Sequence, residues 1–275
     1  MASLKKPSVL IRGVGEIASA VAHFLHHAGA NVALQASRPP ITIRRAMAFS
    51  DAVFDGWACL NRVTARRVRN TGLLLEVWAK NEIPLAFVDF ACVINGYSWD
   101  VLVDSRMNKQ SVPECQIGMA PLVIGMGPSC TIGDNVDVAV ETSWDALGVI
   151  VRQGKTLPMR GEPRAILGYA RERFQYAPIA GTVRAVATIG QIVRAGDMIA
   201  WIDDAPIVAA FDGIVRGLTH DGVPVERGNK IAEVDPRLGS VCLGGIDERP
   251  RRIAEAVTII VGEHFPALQP TVLRV

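Results

Sequence analysis

Between residues 181 and 235 the sequence repeats itself, and that repeat restricts the fold more than any other feature. Gly181, Val183, Arg184, Gly190, Val193, Gly196, Ile199 and Asp203 recur 32 positions later as Gly213, Val215, Arg216, Gly222, Val225, Gly228, Ile231 and Asp235. Each copy reads G-x-V-R, then G-x-x-V-x-x-G, then an apolar run ending in Asp. The glycines fall where strands turn and the valines and isoleucines where they pack. Two such copies close into a small β-sandwich.

Over residues 176–237 the repeat resembles the biotinyl/lipoyl carrier domain, a barrel-sandwich hybrid, which implies an all-β domain over 174–237. In such carriers the modified lysine sits on the hairpin joining the copies. Here that hairpin is Asp203-Asp204-Ala205-Pro206-Ile207, and Lys230 falls inside the second copy. Neither biotin nor lipoate attachment is therefore expected.

The N-terminal part has a different texture. The apolar run 8–11 ends in Arg12-Gly13-Val14-Gly15-Glu16-Ile17-Ala18, after which Ala18, Val21, Ala22, Leu25 and Ala28 recur at helical spacing. Gly29 closes that helix and Val32-Ala33-Leu34 opens the next strand, so the first 35 residues read as a β-α-β unit. Further strands are predicted at 85–88, 101–103 and 122–125, with helical stretches at 46–54 and 73–81. Alternating strands and helices give an α/β fold, a Rossmann-like doubly wound parallel sheet covered on both faces. After Pro236 a strand through Val241-Cys242-Leu243 and a helix striped by Ile253, Ala256, Val257 and Ile260 are predicted, with Asp247 as its cap. They are too little to fold alone. The expected layout is a first domain of residues 1–170 completed by 240–275, with the β-sandwich inserted and projecting on two linkers.

Of the 275 residues 49% are hydrophobic and 20% charged, enough apolar content for a large core. The net charge of +2 offers no electrostatic footprint for nucleic acid or an anionic membrane. No run approaches the roughly 18 apolar residues of a membrane helix, and Arg12-Gly13 ends the first apolar run before a secretory segment forms. The five cysteines are scattered and never form CxxC, which argues against disulfides and structural zinc and for a cytoplasmic setting.

Gly13-x-Gly15-x-x-Ala18 stands where a dinucleotide fingerprint needs it, with two glycines for a close phosphate, a small residue for helix packing, and a helix N-terminus behind. The carboxylate that ends the second strand in NAD binders is replaced by Gln35, while Ser37, Arg38, Arg44 and Arg45 offer hydroxyl and guanidinium groups to a phosphate. A second glycine loop, Gly125-Met126-Gly127-Pro128, follows a predicted parallel strand and would share the same sheet edge. Asp104 and Lys109 lie between the two loops in sequence and are predicted at that edge. His23, His26 and His27 have chelating spacing on one helix, without acidic or Cys partners beside them, and are read as helix decoration rather than a metal site. Cys130 is read as an inert buried thiol.

Taken together, residues 11–18, Ile43-Arg44-Arg45-Ala46 with Phe49-Ser50-Asp51-Ala52-Val53, Leu102-Val103-Asp104, the run from Ala120 to Gly125 with Gly127-Pro128, and Glu233-Val234-Asp235-Pro236-Arg237 resemble one family. It is the accessory protein of the selenium-dependent molybdenum hydroxylase system, the YqeB type. The resemblance implies a Rossmann-like domain related to that of the XdhC maturation factors and a role in maturing a molybdenum-dependent hydroxylase. A nucleotide-like or molybdopterin-type anion would then sit at the paired glycine loops, held by Arg12, Gly13, Gly15, Glu16, Ala18, Gln35, Arg44, Arg45, Asp104, Lys109, Gly125, Gly127 and Pro128. The family tends to carry Asp where Glu16 stands, an acidic residue near Gln35 and a glycine-aromatic pair in place of Ser129-Cys130. Two alternatives remain open. One is an NAD(P)-dependent oxidoreductase with Arg38 at a 2′-phosphate; the other is a non-catalytic interaction scaffold whose unmodified β-sandwich is the docking surface. A partner metalloenzyme is expected, and a homo-oligomer is compatible with the chain.

Overall fold

A computed structural model describes residues 6–107, 113–159, 163–239 and 241–268. Strand β1 (Ser8–Arg12) leads into helix α1 (Glu16–His27) and returns as β2 (Asn31–Ala36). A short helix α2 (Ala52–Asp55) precedes the hairpin β3 (Trp57–Leu60) and β4 (Val63–Val68). Then come α3 (Leu74–Ala79), β5 (Ile83–Phe87), α4 (Phe90–Gly96), β6 (Val101–Asp104), β7 (Leu122–Met126), β8 (Val138–Val140) and β9 (Ile150–Val151). All nine strands form one sheet in the order β3-β4-β5-β2-β1-β6-β7-β8-β9. Only the two edge pairs, β3 with β4 and β8 with β9, are antiparallel.

Its central strands β5, β2, β1, β6 and β7 are buried on both faces, as parallel strands under helices must be. Val9, Ile11, Val101 and Val103 pack with α1 on one face. Leu10, Leu102 and Val123 pack with Leu74, Val77 and Val93 of α3 and α4 on the other. The last helix, α5 (Glu248–His264), joins the first face: Ile253, Ala256, Val257 and Ile260 are buried against α1. Asp247 caps it, accepting from the Glu248 N–H at 2.8 Å. The predicted strand at 241–243 is irregular chain instead. The predicted helix over 46–54 is confined to a 3-10 turn and the single turn α2, because the backbone turns extended at Ala48 (φ −146°, ψ 162°); Gly56, in the left-handed region at φ 85°, then ends α2.

The repeat builds two four-stranded antiparallel sheets. One has the order β10 (Phe174–Tyr176), β17 (Lys230–Asp235), β15 (Gly213–Leu218), β12 (Ile192–Val193); the other β14 (Ala205–Val208), β13 (Met198–Ile202), β11 (Gly181–Ala185), β16 (Pro224–Val225). The two copies are interlocked, since β12 of the first pairs with β15 of the second, and β16 of the second with β11 of the first. Equivalent positions have equivalent fates. Val183 and Val215, Val193 and Val225, and Ile199 and Ile231 all lie in one buried cluster. Gly190 and Gly222 turn at φ 93° and 76°, a region that L side chains rarely adopt.

This β-module does not project on free linkers. The Leu218 N–H donates to the Ile43 carbonyl at 2.7 Å, and Arg45 Nε donates to the Leu218 carbonyl at 2.8 Å. Phe54 stacks on His220 with centroids 4.0 Å apart. Arg44 forks onto Glu233, fully buried in β17, at 2.7 and 3.2 Å, and reaches Glu16 of α1 at 3.0 Å. A charge as deeply buried as Glu233 requires partners. Arg173 also donates to it, and Arg216 lies 3.7 Å away while pairing with Asp247 at 2.6 Å. No helix among the described residues is long and apolar enough to cross a membrane.

Candidate functional site

From β1 the chain moves one way to β2 and the other way to β6, so the order reverses between these neighbours. Outside their carboxyl ends lies the crevice where open α/β sheets place ligands. Gly13 enters it at φ 120°, its N–H bonded to the Gln35 carbonyl at 2.9 Å. A Cβ there would lie 3.2 Å from the Ser105 carbonyl oxygen and 3.6 Å from the Ala18 methyl. Gly15, the N-cap of α1, is different: its backbone is extended, and a Cβ would meet nothing within 4 Å. The N-cap residue offers no side-chain acceptor to the N–H groups of the first turn. Ser105, nine-tenths buried at the end of β6, has a hydroxyl with no hydrogen-bond partner among the described residues.

On the other face of the same edge four of the predicted residues form one row. Register pairs Gln35 with Arg12, Arg12 with Asp104, and Asp104 with Gly125 across β2, β1, β6 and β7. Residues two positions earlier in each strand, Ala33, Leu10, Leu102 and Val123, belong to the cluster with α3 and α4. Period-two alternation therefore turns the whole row to that face. Gln35 is committed locally, donating to Ser37 Oγ at 2.8 Å and to the Val88 carbonyl at 2.9 Å. Arg12 lies flat on Phe90, 3.5 Å from the ring centre, and donates to Gln116 at 2.8 Å and to Glu114. Burial lowers its pKa below the ordinary guanidinium value. Asp104 accepts from Arg106 at 2.9 and 2.6 Å and from Gln116 at 2.6 Å. Burial alone would raise its pKa; the hydrogen bonds and charge of Arg106 outweigh that and hold the carboxyl below its usual range.

Gly125 ends the row because a Cβ would lie 2.8 Å from Cys130 Sγ. The gap left among Asp104, Gln116, Gly125, Pro128 and Cys130 has a volume of about 10 Å³, room for one water at most. Burial raises the Cys130 pKa to about 11, so the thiol is protonated at neutral pH. Gly127, at φ 104°, turns the chain beside Met107.

Arg44 and Arg45 are placed away from this row, in the contact with the β-module, where Arg45 also pairs with Asp51 at 2.7 Å. Lys109 lies outside the described residues. His23 is buried with neither ring nitrogen bonded, and its pKa falls to about 4 through burial and the neighbouring His27. Among the described residues no group of three or more His, Cys, Asp or Glu could hold a metal ion. Sequence reasoning missed Glu114 and Gln116. They belong to irregular chain after Pro113, where no periodicity marks a functional side chain; only their spacing of two, which puts both on one side of an extended segment, carries a signal.

Over 253 residues the chain is 36% identical to the uncharacterized protein YqeB of Escherichia coli (strain K12). The two are homologous. The match takes in 90% of this chain and 46% of the relative, so the chain spans about half the length of the curated relative it matches. No family model matches the chain. Among solved structures, a succinylglutamate desuccinylase/aspartoacylase from Rhodobacter sphaeroides aligns over 34% of this chain and 31% of its own, with TM-score 0.23 and 22% identity. An aspartoacylase family protein from Mesorhizobium loti aligns over 85% and 86%, with TM-score 0.26 and 14% identity. Likeness at these scores bears on neither fold nor activity.

Proposed function

We propose that this chain is an accessory protein that binds a nucleotide-like or molybdopterin-type anion and serves the maturation of a molybdenum-dependent hydroxylase. In this reading the large sheet is Rossmann-like and the β-module is a barrel-sandwich hybrid without a carrier lysine. The observation that carries it is the uncapped start of α1 at the point where strand order reverses. A Cβ on Gly15 would meet nothing within 4 Å beside the uncapped helix start, and the Ser105 hydroxyl, without a partner among the described residues, lies at the end of the adjacent strand. The biological role rests on the motif resemblance and on homology to YqeB over most of the chain.

Gly15 is the residue to change, because its backbone (φ −73°, ψ −176°) suits any L-amino acid. Gly15→Val fills the open space without straining the fold. Isothermal titration with ADP, CDP and NADP⁺ should show binding of at least one to the wild type and a loss of about 100-fold in the variant, roughly 2.7 kcal/mol. Equal affinity in both proteins, or no binding of any of the three to the wild type, overturns the nucleotide site.

A further inference from the structure

Two guanidinium groups converge on one carboxylate at the end of the polar row. Arg12 donates to Glu114 Oε1, and Arg106 reaches the same oxygen at 3.3 Å. Everything about the cationic side is built in. Arg12 is 6% exposed, stacked on Phe90 and bonded to Gln116, and its Nε is buried without a partner among the described residues; Arg106 is fixed by its fork onto Asp104. The anionic side is not. The Glu114 side chain is 53% exposed, sits in irregular chain, and among the described residues its carboxylate is held by the two arginines alone.

Charge counting makes the same point. Arg12 and Arg106 face Asp104 and Glu114, so moving Glu114 aside leaves one unbalanced positive charge over a buried guanidinium. Such a site demands an anion. Planar guanidinium groups match a carboxylate with directed hydrogen bonds, which is how Glu114 is held.

We propose that Arg12 and Arg106 form a binding site for the carboxylate of a small organic acid, which Glu114 occupies as an internal stand-in. The site lies on the face of the sheet away from α1 and does not depend on the nucleotide reading. A tethered carboxylate competes at high effective concentration, so free acids bind weakly until it is removed.

Malonate is the probe, with inorganic phosphate as the comparison, titrated into the full chain. Glu114→Ala should bind malonate about 10-fold or more tightly than the wild type. Glu114→Gln, which keeps the shape and loses the charge, should fall between them and guards against a local collapse in the alanine variant. Adding Arg106→Met to Glu114→Ala should abolish the gain, with far-UV circular dichroism reporting that the chain stays folded. The proposal is overturned if neither Glu114 variant gains affinity, or if the double variant binds as tightly as Glu114→Ala. Binding of phosphate without malonate would overturn the carboxylate assignment.

Discussion

The two ends of the β-module are built from the same letters and live in different environments. At one end Arg216, Glu233 and Asp235 are buried against the large sheet, with Arg44, Arg173 and Asp247 completing the charge network. At the other, the repeat counterparts Arg184, Trp201 and Asp203 face solvent, and Arg184 lies over the Trp201 ring at 5.4 Å. The difference teaches that the repeat encodes the module's interior, where both copies are alike, while position 233 decides which end is docked. Where the first copy has an aromatic residue, the second has a carboxylate that three guanidinium groups surround.

Replacing Glu233 by Ala should have the largest effect. It leaves three arginines without their shared anion, at a cost of about 3–5 kcal/mol. Urea denaturation monitored at the tryptophans would measure it, and a loss under about 1 kcal/mol would break the comparison. Arg216→Met should cost about 2–3 kcal/mol, because Asp247 and the buried Asp235 lose a partner. Acid should act on the two regions in separate windows. His23, neutral in the fold with a pKa of about 4 against an ordinary value of 6.5, lets the unfolded chain bind the extra proton between those values. Stability of the large sheet should therefore fall as pH drops, by about 2 kcal/mol at pH 5, and His23→Leu should flatten that slope. Asp235 and Asp247 answer lower. Burial pushes both carboxyls up, but hydrogen bonds from Arg237 to the first, and from the Glu248 N–H and Arg216 to the second, bring both below the ordinary range. Their contribution is present above about pH 4 and lost as pH falls through the lower folded values, so hydrogen exchange should show undocking only after the His23 step. The smallest effect belongs to Arg184→Met, at less than about 0.5 kcal/mol, since its cation–π contact is exposed.

How much of this was legible differs from element to element. The unit β1-α1-β2 and the repeat announce themselves through glycine placement and apolar spacing. The hairpin β3-β4 does not, although its register leaves a two-residue turn between Leu60 and Val63. Both turn residues have positive φ, 45° and 68°, but they are Asn61 and Arg62 where a glycine would flag the turn. Trp57, Ala58, Cys59 and Leu60 are all apolar, so the alternation between exposed and buried that the fold imposes on them does not show in the sequence. At the candidate site Gln35, Arg12, Asp104 and Gly125 each drew attention singly. Their alignment in one row depends on which strands are neighbours, and sequence does not state that. Arg44 and Arg45 read as phosphate ligands for the same reason: a surface arginine and an arginine under another module look alike until the module is docked.

The helix that completes the face above α1 is made long after α1 itself. Translation reaches Glu248 only after the whole β-module has been synthesised, about 10–45 s after His27 at roughly 5–20 residues per second. During that interval Val21, Phe24 and Leu25 of α1 wait for Ile253, Val257 and Ile260. The nascent chain thus carries α1 with its α5-facing side uncovered over this interval, an exposed apolar surface of the kind that favours aggregation until α5 arrives.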